Sequence, residues 1–314
     1  MLRGALIVGC GALLVVSVFW LATDGTFVLG ASQFHAGDSV TVIQDCDAIT
    51  PNGIPEKISA GATVIVTKAS GRSLLVDAII PGWIPAANVI PADQAIAYFS
   101  ERINRAPEDP HNYFCRAGVW QTQSNYERAL QDYDQSINLD PAKLAYRMER
   151  GNCFLVKKDL KRAIADFTSV LRKDPKSHAA LIGRGAAYCE QGDYAKAVSD
   201  LGAVIEQDPQ NIPARASFAE LLACCPDAAF RDGKLAVQLA TELSRETGSQ
   251  EPQILHYLAC AYAECGDFES AIKSEQQAID ITPTERTGFH ANFQKALTLF
   301  ESKKPLHEFT TFSG

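Results

Sequence analysis

The stretch Pro175-Lys-Ser-His-Ala-Ala-Leu-Ile-Gly-Arg-Gly-Ala-Ala-Tyr-Cys-Glu-Gln-Gly-Asp-Tyr-Ala-Lys-Ala-Val-Ser-Asp-Leu-Gly-Ala-Val-Ile-Glu-Gln-Asp-Pro209 holds two helical runs parted by Gly192-Asp193. Its bounding prolines belong to a series, Pro107, Pro141, Pro175 and Pro209, spaced 34 residues apart. A fixed period of this size marks stacked supersecondary units that bury their apolar faces on their neighbours. Three units fall into register. Their first helices carry Tyr113, Ala117 and Trp120, then Gly151 and Phe154, then Leu181, Gly185 and Tyr188. Their second helices carry Ala129 and Tyr133, Ala163 and Phe167, Ala197 and Leu201.

These residues resemble the tetratricopeptide repeat, in which small residues permit close helix contact and aromatics fill the gaps between helices. The pattern extends both ways. Ala95, Phe99 and Pro107 read as a second helix without its first. After Pro209 comes a stretched unit: Phe218, Ala219 and Leu222 supply a first helix, Cys224 to Gly233 a long turn, and Ala236 with Ala240 the second helix. Leu258, Ala259, Tyr262, Gly266, Asp267, Phe268, Ala271 and Pro283 then restore the pattern, and Gly288 to Ser302 reads as an amphipathic cap. The stretched unit, with its Cys-Pro-Asp and Arg-Asp-Gly-Lys turn, resembles bacterial repeat proteins of the cell envelope.

The resemblance implies a mainly α fold, a helical-hairpin solenoid, and a partner-binding groove on its concave face. First-helix residues that do not pack inward would line it: Phe114, Gln121, Met148, Asn152, Leu155, Val156, Ile182, Ala186, Cys189, Glu190, Glu220, His256 and Glu264. Repeat proteins that clamp a chaperone's C-terminal carboxylate place Lys, Arg and Asn there, and only Asn152 remains. The expected partner is an apolar helix or an extended peptide. The rival expectation is that another part of this chain fills the groove, because an open apolar groove of this size is a liability. A polar pattern shares the period: Arg116 and Asp132, Arg150 and Asp166, Arg184 and Asp200, each sixteen residues apart. It predicts structural ion pairs between facing helices, each contributing about 0 to 1 kcal/mol if exposed.

Before the repeats the text differs. Arg3 precedes twenty uncharged residues, Gly4 to Thr23. This length fits a single membrane anchor, and a cleaved signal peptide ending near residue 30 fits as well. Either predicts an exported body, periplasmic or exterior, because the basic flank precedes the segment. Leu6-Ile-Val-Gly-Cys10 only weakly resembles a lipoprotein box, since the apolar run follows the cysteine. From 31 to 91 short Val-, Ile- and Thr-rich runs (Ser39–Ile43, Ala62–Thr67, Ser73–Asp77), broken at Pro51-Asn-Gly, Gly61, Ser70-Gly71 and Pro81-Gly82, predict a small β unit of about five strands. Gly82-Trp-Ile-Pro-Ala-Ala-Asn-Val-Ile90 resembles the end of bacterial SH3-like barrels. Trp83 is expected to pack over the barrel mouth, with ligand stacking as its alternative. The expected organisation is thus an N-terminal segment (1–30), an SH3-like domain (31–91), a repeat array (92–285) of one half repeat, three regular repeats, one stretched and one final repeat, a capping helix (286–304) and a tail (305–314).

The formal net charge of -8 sets nucleic acid aside as a partner. No Gly-x-Ser-x-Gly, His-Glu-x-x-His or phosphate-cradling loop is present, and the six histidines are scattered. No enzyme activity, metal or cofactor is expected. Cys115, Cys153, Cys189, Cys260 and Cys265 fall where the repeat asks for small residues and are expected as packing. Cys224-Cys225 leaves a redox role open. Three function classes remain: a non-enzymatic envelope scaffold, a wall- or peptide-binding module led by the β domain, and an enzyme or redox protein.

Overall fold

The computed structural model describes residues 34–49, 55–58, 60–70, 72–77, 82–282 and 287–309. The expected signal or anchor segment, 1–30, lies outside them, as does Pro283. No helix among the described residues is long and apolar enough to cross a membrane. The chain forms two compact units that divide between Lys143 and Leu144.

Among its described residues the first unit has seven strands: β1 (Ser39–Val42), β2 (Cys46–Ile49), β3 (Pro55–Ile58), β4 (Thr63–Ser70), β5 (Ser73–Asp77), β6 (Gly82–Pro85) and β7 (Val89–Pro91). They make one antiparallel sheet in the order β3-β2-β6-β5-β4-β1-β7. The sheet has seven strands rather than about five because β2 and β3 are four-residue, partly charged segments with no apolar run to announce them. In β2, Cys46 and Ala48 are buried while Asp47 and Ile49 face out. The strand is held by β3 along its length and by β6 at Ile49. Val40, Val42, Val66, Leu74, Val76 and Ile84 are fully buried in the core of the sheet. A 3-10 turn, Ala86–Asn88, links β6 to β7.

Three helices complete this unit: α1 (Ala95–Arg105), α2 (Pro110–Thr122) and α3 (Tyr126–Leu139). The turn before β4 is seated on α2 through two glycines. A Cβ on Gly61, whose φ is +88°, would lie 2.8 Å from the Cys115 backbone, and one on Gly118 would lie 3.2 Å from the Gly61 carbonyl oxygen. Ala60, Ala95, Phe99, Cys115 and Val119 form the buried cluster at this seat, with Ile43, Ile90 and Phe114 packed on it.

The second unit contains α4 (Leu144–Val156), α5 (Leu160–Leu171), α6 (His178–Gln191), α7 (Tyr194–Gln207), α8 (Ile212–Cys224), α9 (Gly233–Glu246), α10 (Pro252–Glu264), α11 (Phe268–Ile281) and α12 (Thr287–Glu301). The chain is thus mainly helical, with helical-hairpin repeats in both units and a small β region preceding those of the first. Side-chain oxygens start the helices by accepting backbone N–H groups: Asn125 from Arg128, Asp159 from Arg162, Ser177 from Ala180, Asn211 from Ala214, Asp232 from Leu235 and Asp267 from Ser270. The hairpin turns share a left-handed residue at one repeat position, Ser124, Lys158, Gly192 and Gly266, with φ between 57° and 85°. Small residues face large ones within each hairpin: a Cβ on Gly151 would meet Phe167 at 2.8 Å, and one on Gly185 would meet Leu201 at 3.2 Å. Gly183, on the first helix of the next repeat, abuts the same ring: a Cβ there would lie 2.7 Å from Phe167.

Candidate functional site

The periodic charges meet as bidentate pairs. Arg116 donates from Nε and Nη2 to Asp132 at 2.7 and 2.8 Å, Arg150 to Asp166 at 2.7 and 2.6 Å, and Arg184 to Asp200 at 2.8 Å on both oxygens. Each arginine also reaches an aromatic ring, Tyr113, Phe154 or Tyr188, at 5.7 to 5.9 Å from its centroid. Arg116 and Arg184 further donate to the preceding helix, on Ser100 and Thr168. The carboxylates are buried, Asp132 at 7%, Asp166 at 4% and Asp200 at 6% exposure, so these pairs are not the exposed kind that the spacing alone suggested. The hydrogen bond with Asp132 holds Arg116 above its ordinary pKa, and that with Asp200 does the same for Arg184. Removing one partner leaves a buried ion.

The groove residues have diverse fates. In the first unit Phe114 packs beside Tyr133, ring centroids 5.9 Å apart, and Gln121 Oε1 accepts from the Tyr133 hydroxyl at 3.0 Å. In the second unit, Met148 and Ile182 are partly buried against Leu171, Leu181 and Val204. Leu155 is half-buried and Val156 is 45% exposed. Asn152 donates to Glu149 at 3.3 Å, and burial pushes the Glu149 carboxyl up against the lowering effect of that bond. Glu190 is exposed and accepts from Lys158 of the neighbouring repeat at 2.5 Å. Cys189 joins Ile182 and Tyr188 around Ala197, Leu201 and Leu221, where burial and the nearby Glu220 push its thiol up.

His256 is not a groove residue: it is fully buried, with Nδ1 2.8 Å from Oε1 of Glu275, itself fully buried. Cys260 Sγ lies 3.6 Å from His256 Nε2, and the Cys224 thiol is hydrogen-bonded to Cys260. A thiol, an imidazole and a carboxylate in this order resemble a catalytic relay, yet burial pushes the Cys260 thiol and the Glu275 carboxyl up. An activated thiol needs the opposite shift and an open approach. The cluster is a polar knot inside the last repeats. Seventy-four residues on from Arg184 and Asp200 stand Leu258 and Ser274, so the periodic ion pair is absent here and His256–Glu275 takes its structural place.

Cys46, Cys115, Cys153, Cys224, Cys225 and Cys260 are buried thiols, whereas Cys265, expected as packing, is exposed beyond the end of α10. Burial raises Cys225; for Cys224, the bond with Cys260 pulls down, burial pushes up, and the net is upward. Among the described residues no group of three or more His, Cys, Asp or Glu could hold a metal ion.

The last described residues, read from the sequence only as a tail, lie on the helices. The chain turns at Lys303, whose φ is +55°, and Lys304 N–H donates to the Leu299 carbonyl. Leu306, 5% exposed, enters the cluster of Leu222, Ala223, Cys224, Ala259, Cys260 and Phe300. His307 Nε2 lies 2.7 Å from Glu264, whose other oxygen accepts from Arg231 of the stretched turn at 2.8 Å. Glu308 pairs with Lys295. Phe309 sets its ring 6.0 Å from that of Tyr194 and packs on the cluster that holds Ile182, Tyr188 and Cys189. Helices α6, α8 and α10 pack side by side, and the tail runs from the end of α10 past α8 toward the α6–α7 turn.

In the β region, Trp83 stands opposite Ile49 on one side and Leu75 on the other, on the face away from buried Ile84. It is half-buried on the outer face rather than part of the inner core.

Three tetratricopeptide-repeat family models match residues 121–178, 154–216 and 252–285. The chain therefore carries tetratricopeptide repeats. Among solved structures, a tetratricopeptide repeat protein from Parabacteroides merdae ATCC 43184 is 17% identical, with 68% of this chain and 81% of that one covered and a TM-score of 0.55. PilW, a widely conserved type IV pilus biogenesis factor, is 18% identical over 59% of this chain and 84% of its own, TM-score 0.52. A thermophilic tetratricopeptide-repeat protein of Thermus thermophilus is 15% identical over 60% and 100%, TM-score 0.52. These likenesses describe the fold. No curated protein matches the chain.

Proposed function

We propose that this chain is a non-catalytic protein-interaction scaffold of the bacterial cell envelope, holding a partner's segment on the first-helix face of its repeats. Tetratricopeptide repeats are characteristically scaffolds of this kind. The observation that carries the reading is the seat on α6, α8 and α10, where an extended segment with apolar anchors already lies. Extended-peptide recognition by apolar anchors uses this same physics. The export proposal rests on the uncharged run Gly4 to Thr23 behind Arg3. Tagged chain and a Leu155→Arg/Val156→Arg variant, both shown to be folded, are used as baits in envelope extracts. A protein held by the parent and lost by the variant supports the reading; identical captures by both count against the α4 part of this face. A periplasm-specific reporter fused after residue 314 that stays inactive counts against export.

A second reading, a β region that binds wall fragments or peptide, is favoured by one observation. Trp83 and its neighbour Ile49, 49% exposed, present an apolar pair on the outer sheet face. Co-sedimentation with purified peptidoglycan that Trp83→Ala abolishes would support it; equal pelleting of parent and variant would exclude Trp83.

A further inference from the structure

The tail shows what chemistry its seat accepts. Leu306 and Phe309 are anchors three positions apart, each in its own apolar cluster, and between them His307 meets Glu264 while Glu308 meets Lys295. Glu264 is itself held in place by Arg231. Among the described residues the last backbone–backbone hydrogen bond is that of Lys304, so Pro305 to Phe309 is retained by side chains alone. A segment held in this way can leave without breaking a helix.

We propose that residues 305–309 are a built-in competitor for the partner, and that the partner is a protein with an extended segment of the same pattern. That pattern is an aliphatic residue, a basic or imidazole residue, an acidic residue and an aromatic residue in succession. The aliphatic and aromatic side chains take the places of Leu306 and Phe309, and the basic group takes the Glu264 carboxylate. Partner binding then includes displacement of the tail, and removing the tail tightens it. This rests on the scaffold reading above and adds to it the site, the ligand pattern and the competition.

The test uses a fluorescent peptide of residues 304–314 as probe, with three chains: the full chain, a chain ending at Ser302, and the full chain carrying Leu306→Asp and Phe309→Asp. Circular dichroism and a thermal melt first establish folding. The expected result is weak peptide binding by the full chain and at least tenfold tighter binding by both altered chains. Glu264→Gln in the shortened chain should weaken binding several-fold, and a peptide with both anchors changed to Ala should not bind. Equal binding by full and shortened chains, or none by a folded shortened chain, overturns the proposal. Loss of folding in both altered chains also overturns it, because the tail would then belong to the core. A full chain that sediments as a dimer and a shortened one that is monomeric makes the occupant a second copy and overturns it as well. The extract capture keeps the two readings apart. A partner held equally by full and shortened chains leaves the scaffold standing and removes the competitor, whereas a folded shortened chain that binds the peptide but captures no partner counts against the scaffold and leaves only an intrachain seat for the tail.

Discussion

His256 Nδ1 lies between the two carboxylate oxygens of Glu275, 2.8 Å from one and 2.9 Å from the other, with both side chains fully buried. The pair ties α10 to α11 in the one regular hairpin of the second unit that lacks the Arg–Asp tie of its neighbours. Desolvation makes such a pair costly to form and costlier to break. Glu275→Ala should lower folding stability by about 3 to 5 kcal/mol, and Glu275→Gln, which keeps a hydrogen-bonding group in place, by less than half of that. Urea titrations followed by circular dichroism at 222 nm measure both. Equal losses would mean that the cavity, and not the broken pair, sets the cost.

The buried ends of the periodic ion pairs make a similar test of a different kind. Arg184→Leu strands Asp200, which is 6% exposed, and should destabilise by about 3 kcal/mol. Arg184→Met combined with Asp200→Leu should recover most of the loss, since no ion remains to be solvated. A double variant less stable than the single one would show that the pair has net worth beyond avoiding an unpaired charge.

Gly61 links the β region to α2. Its φ of +88° and the 2.8 Å approach to the Cys115 backbone leave no room for a methyl group, and a backbone cannot rotate away. Gly61→Ala should cost about 2 kcal/mol or more, and Gly118→Ala less, because its nearest obstacle is 3.2 Å away. Differential scanning calorimetry should show the larger fall in Tm for Gly61→Ala.

Glu149 gives a pH prediction. Burial raises its carboxyl and Asn152 opposes the shift without cancelling it. The folded chain therefore keeps this proton to higher pH than the unfolded chain does, and stability falls as pH rises from the ordinary carboxylate value, about 4.3, through the raised one. Glu149→Gln has no proton to lose. Its stability relative to the parent should be lowest near pH 4 and increase toward about pH 7, read from denaturant midpoints. A difference independent of pH would reject the shift.

Thiol access follows burial. Cys265 alone among the described cysteines is exposed, and Cys189 is intermediate. A thiol reagent applied to the folded chain should label Cys265 first among the described cysteines by mass spectrometry, with Cys224 and Cys260 labelled only after denaturation. Early labelling of Cys260 would revive the redox reading.

Much of the helical part was legible because a repeat states its contacts many times. Gly151 and Phe167, or Arg184 and Asp200, meet wherever the period recurs, so spacing alone pairs them. The strands β2 and β3 were not legible, since four-residue strands draw their stability from neighbours and leave no run of their own. His256 was misplaced on the groove because the last repeat trades the periodic pair for a different one, and a single exchange breaks no spacing. Arg215, 3% exposed and bound to Glu242 and Glu246, belongs to the stretched unit and carries no period at all.

What the amino-acid sequence determined by itself is therefore what repeats locally: hairpin boundaries set by Pro, Asp and Gly, small-against-large packing, and the Arg–Asp ties sixteen residues apart. Only the tertiary structure decided what the period does not state: the glycine seat of the β region on α2, the buried His256–Glu275 pair that replaces the periodic tie, and the placing of Leu306 and Phe309 on helices from the stretched unit back to α6. Local preference and periodicity are written in consecutive residues. Contacts between segments far apart in the chain depend on which surfaces the folded solenoid leaves uncovered, and no spacing in the sequence records that.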